Sequence, residues 1–276
     1  DPLLTDWSSW SDELFFSNSK LLINAVDSLS KILLNDELCP SNDLVIFADG
    51  VLLNLPFDIL FSEPVTDEIG FRNLPYLIRD KQISYASYID QLQQEKKYSK
   101  QNKLYVGIAP LYSIVDTLSN LRGGQSPLFY NQLEVSKTCG FMKDGKSLLG
   151  DKATKLAFLS ALDEVDWLHL AAHASFDNQI TYQSYLSFAN QDSIDDNKLY
   201  AYDIANLDLN VDLAVLSACE TNKGSANNGL GLLGIAKAFQ ISGCNNLMIT
   251  NWLVDDAASQ LIITEMFRLK IDGKST

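Results

Sequence analysis

The chain has 276 residues, 46% of them hydrophobic, 20% charged and 10% aromatic, a composition that suits one large α/β domain or two small ones. Its formal net charge of −14 argues against nucleic acid as a partner and favours a basic ligand, such as a peptide carrying Lys or Arg. No run approaches the roughly 18 apolar residues of a membrane span and no basic-then-apolar leader opens the chain, so no membrane partner is expected.

In chain order, Ser19–Leu34 carries Leu22, Val26, Leu29 and Leu33 at the spacing of one helical face. Leu44–Ala48 and Val51–Leu55 read as strands on either side of Asp49-Gly50, a β-hairpin signal. Phe57–Phe61 reads as a helical turn, Gln82–Ala86 as a strand and Tyr88–Glu95 as a short helix. The polar run Gln93–Asn102 marks a boundary, dividing residues 1–98, a helix plus a hairpin-containing subdomain, from residues 99–276. Beyond it strands and helices alternate. Strands are expected at Leu104–Ala109, Ser147–Leu149, Val165–Ala172, Leu213–Leu216 and Leu247–Thr250. Helices are expected around Tyr130–Cys139, Thr154–Leu162, Leu230–Ile241 and Ala257–Lys270. Ser113–Pro127 and Ala174–Lys198 read as long polar loops that could gate a site. The alternation implies a mostly parallel sheet covered on both faces. Asp1 at the start and Gly273-Lys274-Ser275-Thr276 at the end suggest a piece of a longer protein.

The four cysteines, Cys39, Cys139, Cys219 and Cys244, show neither zinc-ligand nor disulfide spacing, which points to a reducing, cytoplasmic setting with no metal. Cys219 follows the buried run Leu213–Leu216 and precedes a Gly/Asn/Ser loop, where open α/β sheets keep their crevices. Upstream, His173 ends Val165–Ala172 in the same way. On parallel neighbouring strands these two would meet at one sheet edge, as a thiol nucleophile and imidazole base require, and a histidine about 50 residues upstream is the caspase-type order. His169 shares the strand parity of His173 and reads as a core residue. Asp255 and Asp256 open the last helix; one is expected to cap it, the other to offer a carboxylate to a guanidinium or ammonium group.

Other motifs weigh less. Gly229-Leu230-Gly231-Leu232-Leu233-Gly234 fits GxGxxG and would suggest dinucleotide binding, but Cys219–Asn228 separates it from its strand. A P-loop ending at Lys274-Ser275 would need glycine where Arg268 stands. A cysteine phosphatase would need arginine where Ser225 stands.

As a set, His169-Leu170-Ala171-Ala172-His173, Leu216-Ser217-Ala218-Cys219-Glu220-Thr221, Gly229-Leu230-Gly231 and Trp252-Leu253-Val254-Asp255-Asp256 resemble the successive motifs of the CHAT domain, a caspase-like peptidase family related to separase. Asp49-Gly50 with Leu55-Pro56-Phe57-Asp58-Ile59-Leu60 is similar to that family's amino-terminal motif, so the resemblance covers about residues 40 to 276. It implies the three-layer α/β/α sandwich of the caspase–hemoglobinase fold, with a smaller amino-terminal α/β subdomain and a chain that stops before the family's final strand. It also implies a cysteine endopeptidase without metal or organic cofactor, cutting protein or peptide substrates after a basic P1 residue. An attached TPR-type repeat region or a regulatory protein would be its partner. By the same resemblance Cys219 is the nucleophile, His173 the general base, Cys219 and Ala174 the backbone oxyanion donors, and Asp256, with Asp255 beside it, the P1-recognising acid. Ala174 stands where the family usually has glycine. The alternative from another class is a catalytically silent interaction or signalling module.

Overall fold

The computed structural model of the chain describes residues 12–34, 41–65, 70–86, 103–112, 128–163, 165–177, 179–189, 197–217, 228–250 and 254–273. The chain divides into two compact units, Asp1–Glu95 and Lys96–Thr276.

In the first unit, helix α1 (Asp12–Leu33) turns its apolar stripe, including Leu22, Val26 and Leu29, onto a cluster built from Phe57, Leu60, Phe61, Leu74 and Leu77. The Ser30 hydroxyl donates to the Val26 carbonyl and accepts from the Phe61 amide, tying helix to cluster. Strand β1 (Asp43–Ile46) pairs in parallel with β2 (Gln82–Tyr85). The expected hairpin is not formed. The Asp49 carboxylate accepts from the Gly50 amide and starts a 3₁₀ turn, Gly50–Asn54, where the sequence suggested a second strand. Gly50 has φ +58°, open to glycine at little cost, but here it begins a helical turn rather than a hairpin. Pro56, which has no N–H for a ladder, follows directly.

The second unit holds a five-stranded sheet. Its strands are β3 (Leu104–Pro110), β4 (Asp144–Gly150), β5 (Trp167–Leu170), β9 (Leu213–Leu216) and β10 (Leu247–Ile249). They lie in the order β10-β9-β5-β3-β4, and every pairing in that sheet is parallel. Side-chain alternation sorts the strands' apolar residues onto two faces. On one, Val106, Ile108, Leu168, Leu170, Ala214 and Leu216 pack with Phe158 of α3 (Lys155–Leu159) and with Ile235, Ala238 and Phe239 of α5 (Asn228–Ile241). On the other, Tyr105, Trp167 and Val215 meet Ile263 and Phe267 of α6 (Asp256–Ile271), while Ala109 and Ala171 meet Val135 of α2 (Asn131–Phe141). Helices therefore cover both faces, the α/β/α layering expected.

The described parts of the stretch read as a polar loop after His173 form regular structure instead. β6 (Ala174–Ser175), β7 (Tyr185–Ser187) and β8 (Lys198–Tyr200) form a small antiparallel sheet, and the short helix α4 (Ala201–Ala205) follows. The helix expected at Tyr88–Glu95 and the loop Ser113–Pro127 lie outside the described residues. No helix among the described residues is long and apolar enough to cross a membrane.

Candidate active site

A parallel sheet delivers all its strand ends to one edge. Three neighbours, β3, β5 and β9, bring Tyr112, His173 and Ser217 there, with β5 and β9 in direct parallel register from Trp167↔Leu213 to Leu170↔Leu216. The Ser217 amide continues the ladder by donating to the Leu170 carbonyl. Cys219 stands two residues further along the chain and lies outside the described residues.

His173 is 3% exposed, and its Nδ1 has no hydrogen-bond partner among the described residues. Burial without a compensating charge lowers its pKa to about 4, so the imidazole is neutral near pH 7. The ring of Tyr112 lies against it, centroids 4.3 Å apart and planes tilted by 43°. The Tyr112 hydroxyl accepts from the His173 amide at 2.8 Å and donates to the Ser187 carbonyl at 2.9 Å. The Ser187 amide donates in turn to the His173 carbonyl. His173 and Ser187 thus face one another as a ladder pair in which a tyrosine hydroxyl replaces one of the two direct bonds. The next pair, Ala174↔Leu186, is then of the type that points its N–H and C=O groups away from the partner strand.

Asn131, at the start of α2, pins the same edge from the other side. Its Nδ2 donates to the carbonyls of Pro110 and Ala171, joining the ends of β3 and β5. Beneath lies a buried polar chain. Tyr105 Oη and His169 Nδ1 are 2.8 Å apart, His169 Nε2 and Glu134 Oε1 2.8 Å apart, and the Ser217 hydroxyl donates to Glu134 Oε2 at 3.3 Å. Burial holds the Tyr105 phenol well above its ordinary pKa. It therefore keeps its proton and donates to Nδ1, which leaves Nε2–H to donate to Glu134. His169 is a core residue as expected, but a core residue wired to the strand end before Cys219. Gly107, opposite His169 in the register, makes room for this: a Cβ there would lie 2.5 Å from the Tyr105 hydroxyl and 2.5 Å from Val135.

The two aspartates divide their work. Asp255 caps α6 by accepting from the Ala258 amide at 2.8 Å. The Oδ2 of Asp256 accepts from the Phe129 and Tyr130 amides at 2.6 and 2.8 Å, fixing the approach to α2. Cys244 is a buried thiol whose pKa burial raises to about 12 and whose Sγ donates to the Asn246 carbonyl, the profile of an inert structural cysteine. The glycine run belongs to the body of a helix: α5 begins at Asn228, before Gly229, and Gly234 comes so close to the Thr181 carbonyl that a Cβ would lie 2.5 Å from it. Its third glycine serves packing. Among the described residues no group of three or more His, Cys, Asp or Glu side chains is placed to hold a metal ion.

A parallel α/β sandwich with a buried histidine at the carboxyl edge, beside the strand that leads to a cysteine, is the architecture of caspase-like proteins. Residues 22–276 match the CHAT domain, and the chain belongs to that family, whose domain is related to caspase-like cysteine peptidases. No curated protein matches the chain.

Proposed function

We propose that this protein is a cysteine endopeptidase in which Cys219 is the nucleophile and His173 the general base. The observation that carries the reading is the neutral, buried imidazole of His173, its Nδ1 unpartnered among the described residues, just past the end of β5, which adjoins β9, the strand that precedes Cys219 in the chain. His173 takes the thiol proton, and the thiolate attacks the scissile carbonyl. The C–N bond breaks as His173 returns the proton to the leaving amine, and water then releases the acyl group from sulfur. The backbone N–H groups of Cys219 and Ala174 hold the oxyanion.

We assign a basic P1 residue to Asp256. Two amides fix its carboxylate through Oδ2, which directs a guanidinium or ammonium group to Oδ1. Asp255, occupied as a cap, supports it from the adjoining position. The net charge of −14 favours the same substrates. The enzyme works in the reducing cytoplasm, where the free thiols of Cys139 and Cys244 are stable, under the control of an attached repeat region or a regulatory partner.

The test is a panel of fluorogenic peptides with P1 set to Arg, Lys, Asp or Leu, cut by wild type and Cys219→Ala side by side. Release after Arg or Lys that disappears in the variant is the expected result. Release after Asp or Leu would keep the peptidase and remove Asp256 from P1 recognition. Silence with every peptide, partner added or not, would make the chain an interaction module.

A further inference from the structure

Tyr112 lies just past Pro110 at the end of β3, in a strand-end segment with no motif of its own, yet it touches the candidate base in two independent ways. Its ring packs on the imidazole of His173 at 4.3 Å, and its hydroxyl completes the pairing of His173 with Ser187 by accepting from one backbone and donating to the other. We propose that Tyr112 is the positioning residue of His173, fixing through its hydroxyl where the histidine backbone sits and through its ring how the imidazole is turned. The inference rests on the reading of His173 as general base.

The hydroxyl does something an ordinary ladder bond could not. Were the His173 amide to bond Ser187 directly, the pair would close to the ordinary spacing of an antiparallel ladder. An oxygen inserted in that bond holds the two backbones apart at the residue that carries the base, while the return bond from the Ser187 amide keeps the register. The bridge requires a hydroxyl that accepts and donates at once, hence a protonated phenol. Its burial raises the Tyr112 pKa, which preserves that form across the working range. The ring meanwhile covers one face of the imidazole. Nδ1 has no partner among the described residues, so no hydrogen bond at that nitrogen fixes the ring, and the packing of Tyr112 bears on its rotation. Misplacement of a catalytic group by about 1 Å costs on the order of 10² in rate, so a side chain that fixes both backbone and ring of the base controls turnover without touching substrate.

The chain has just two histidines, so long-range ¹H–¹⁵N spectra of the imidazoles resolve each of them in the intact protein. Wild type, Tyr112→Phe and Tyr112→Leu are compared in these spectra, in exchange of the His173 and Ser187 amides, and in peptide cleavage. Tyr112→Phe keeps the ring and loses the bridge: both amides are expected to exchange faster while the imidazole signals stay near wild type. Tyr112→Leu loses both contacts: the His173 imidazole signals are expected to shift and the ring to titrate closer to the ordinary value, with His169 unmoved. In cleavage, kcat is expected to fall about tenfold for Phe and on the order of 10² for Leu, with KM within about twofold. Unchanged His173 signals and amide exchange in both variants would overturn the proposal. A wild type that cuts nothing, but whose His173 signals respond as described, would remove the peptidase and leave the positioning role standing.

Discussion

His173 and His169 stand four residues apart in one short stretch and live in opposite surroundings, and the difference has measurable consequences. His169 is wired at both nitrogens, whereas His173 is buried with the Tyr112 ring against it, and burial disfavours its charged form. The folded pKa of His173, about 4, lies below the ordinary 6.5. Above pH 6.5 the group is neutral in folded and unfolded chains alike and its contribution is fully retained. As the pH falls from 6.5 to 4 the unfolded chain takes up the proton first, and the native state loses up to about 3 kcal/mol on this account. Urea midpoints of wild type and His173→Gln, measured at pH 7 and pH 4.5, are expected to differ by an amount that shifts against the wild type at the lower pH; a constant difference would contradict the burial argument. Glu134 sits at the centre of the other arrangement. Glu134→Ala leaves the buried Nε2–H of His169 and the part-buried Ser217 hydroxyl without that acceptor, a loss of roughly 1–3 kcal/mol. Glu134→Gln keeps the shape and one acceptor and is expected to cost distinctly less, and equal midpoints for the two variants would sink the network's claim to be structural.

At the level of elements, helix α5 shows how a motif and its packing are separated. Gly234 abuts the carbonyl of Thr181, so Gly234→Ala drives a methyl into backbone that cannot move aside, at a cost of about 1–3 kcal/mol. Gly140, in α2, has nothing within 4 Å of a built Cβ, and Gly140→Ala is expected to stabilise by about 0.5–1 kcal/mol. Thermal melts of the two variants should move in opposite directions. The parallel strands and the cap of α6 were legible because apolar runs and the Asp255-Asp256 pair announce them. The face of α2 was not, because it buries Asn131, Glu134 and Thr138 beside Val135 and hydrophobic patterning has no sign for a buried polar face. Strands of two or three residues such as β6, β7 and β8 are too short to alternate visibly. Asp49-Gly50 misled because the same dipeptide that turns a hairpin also starts a 3₁₀ turn when the aspartate bonds its neighbour's amide. Tyr112 carried no periodic or motif signal at all; it is found only once β3 and β5 are seen side by side.

For the whole molecule, what was readable was a layered parallel sheet with the residues that follow β5 and β9, His173 and Ser217, at its carboxyl edge, because strands that alternate with helices run parallel and end on one side; the strand order was not readable. The same sheet has a bearing on how the chain reaches its native state. Parallel neighbours cannot be joined by a tight turn, so every ladder between β10 and β4 waits on closure of a long connection, and none can zip from a local nucleus. β5, the central strand, is apolar on both faces apart from His169 and must be paired on both sides before it is shielded. Refolding is therefore expected to be slow for a unit of this size, with uncovered strands exposed to other chains meanwhile. The arrangement that gathers Tyr112, His173 and Ser217 at one edge is thus also the one that makes this molecule's assembly sensitive to its own concentration.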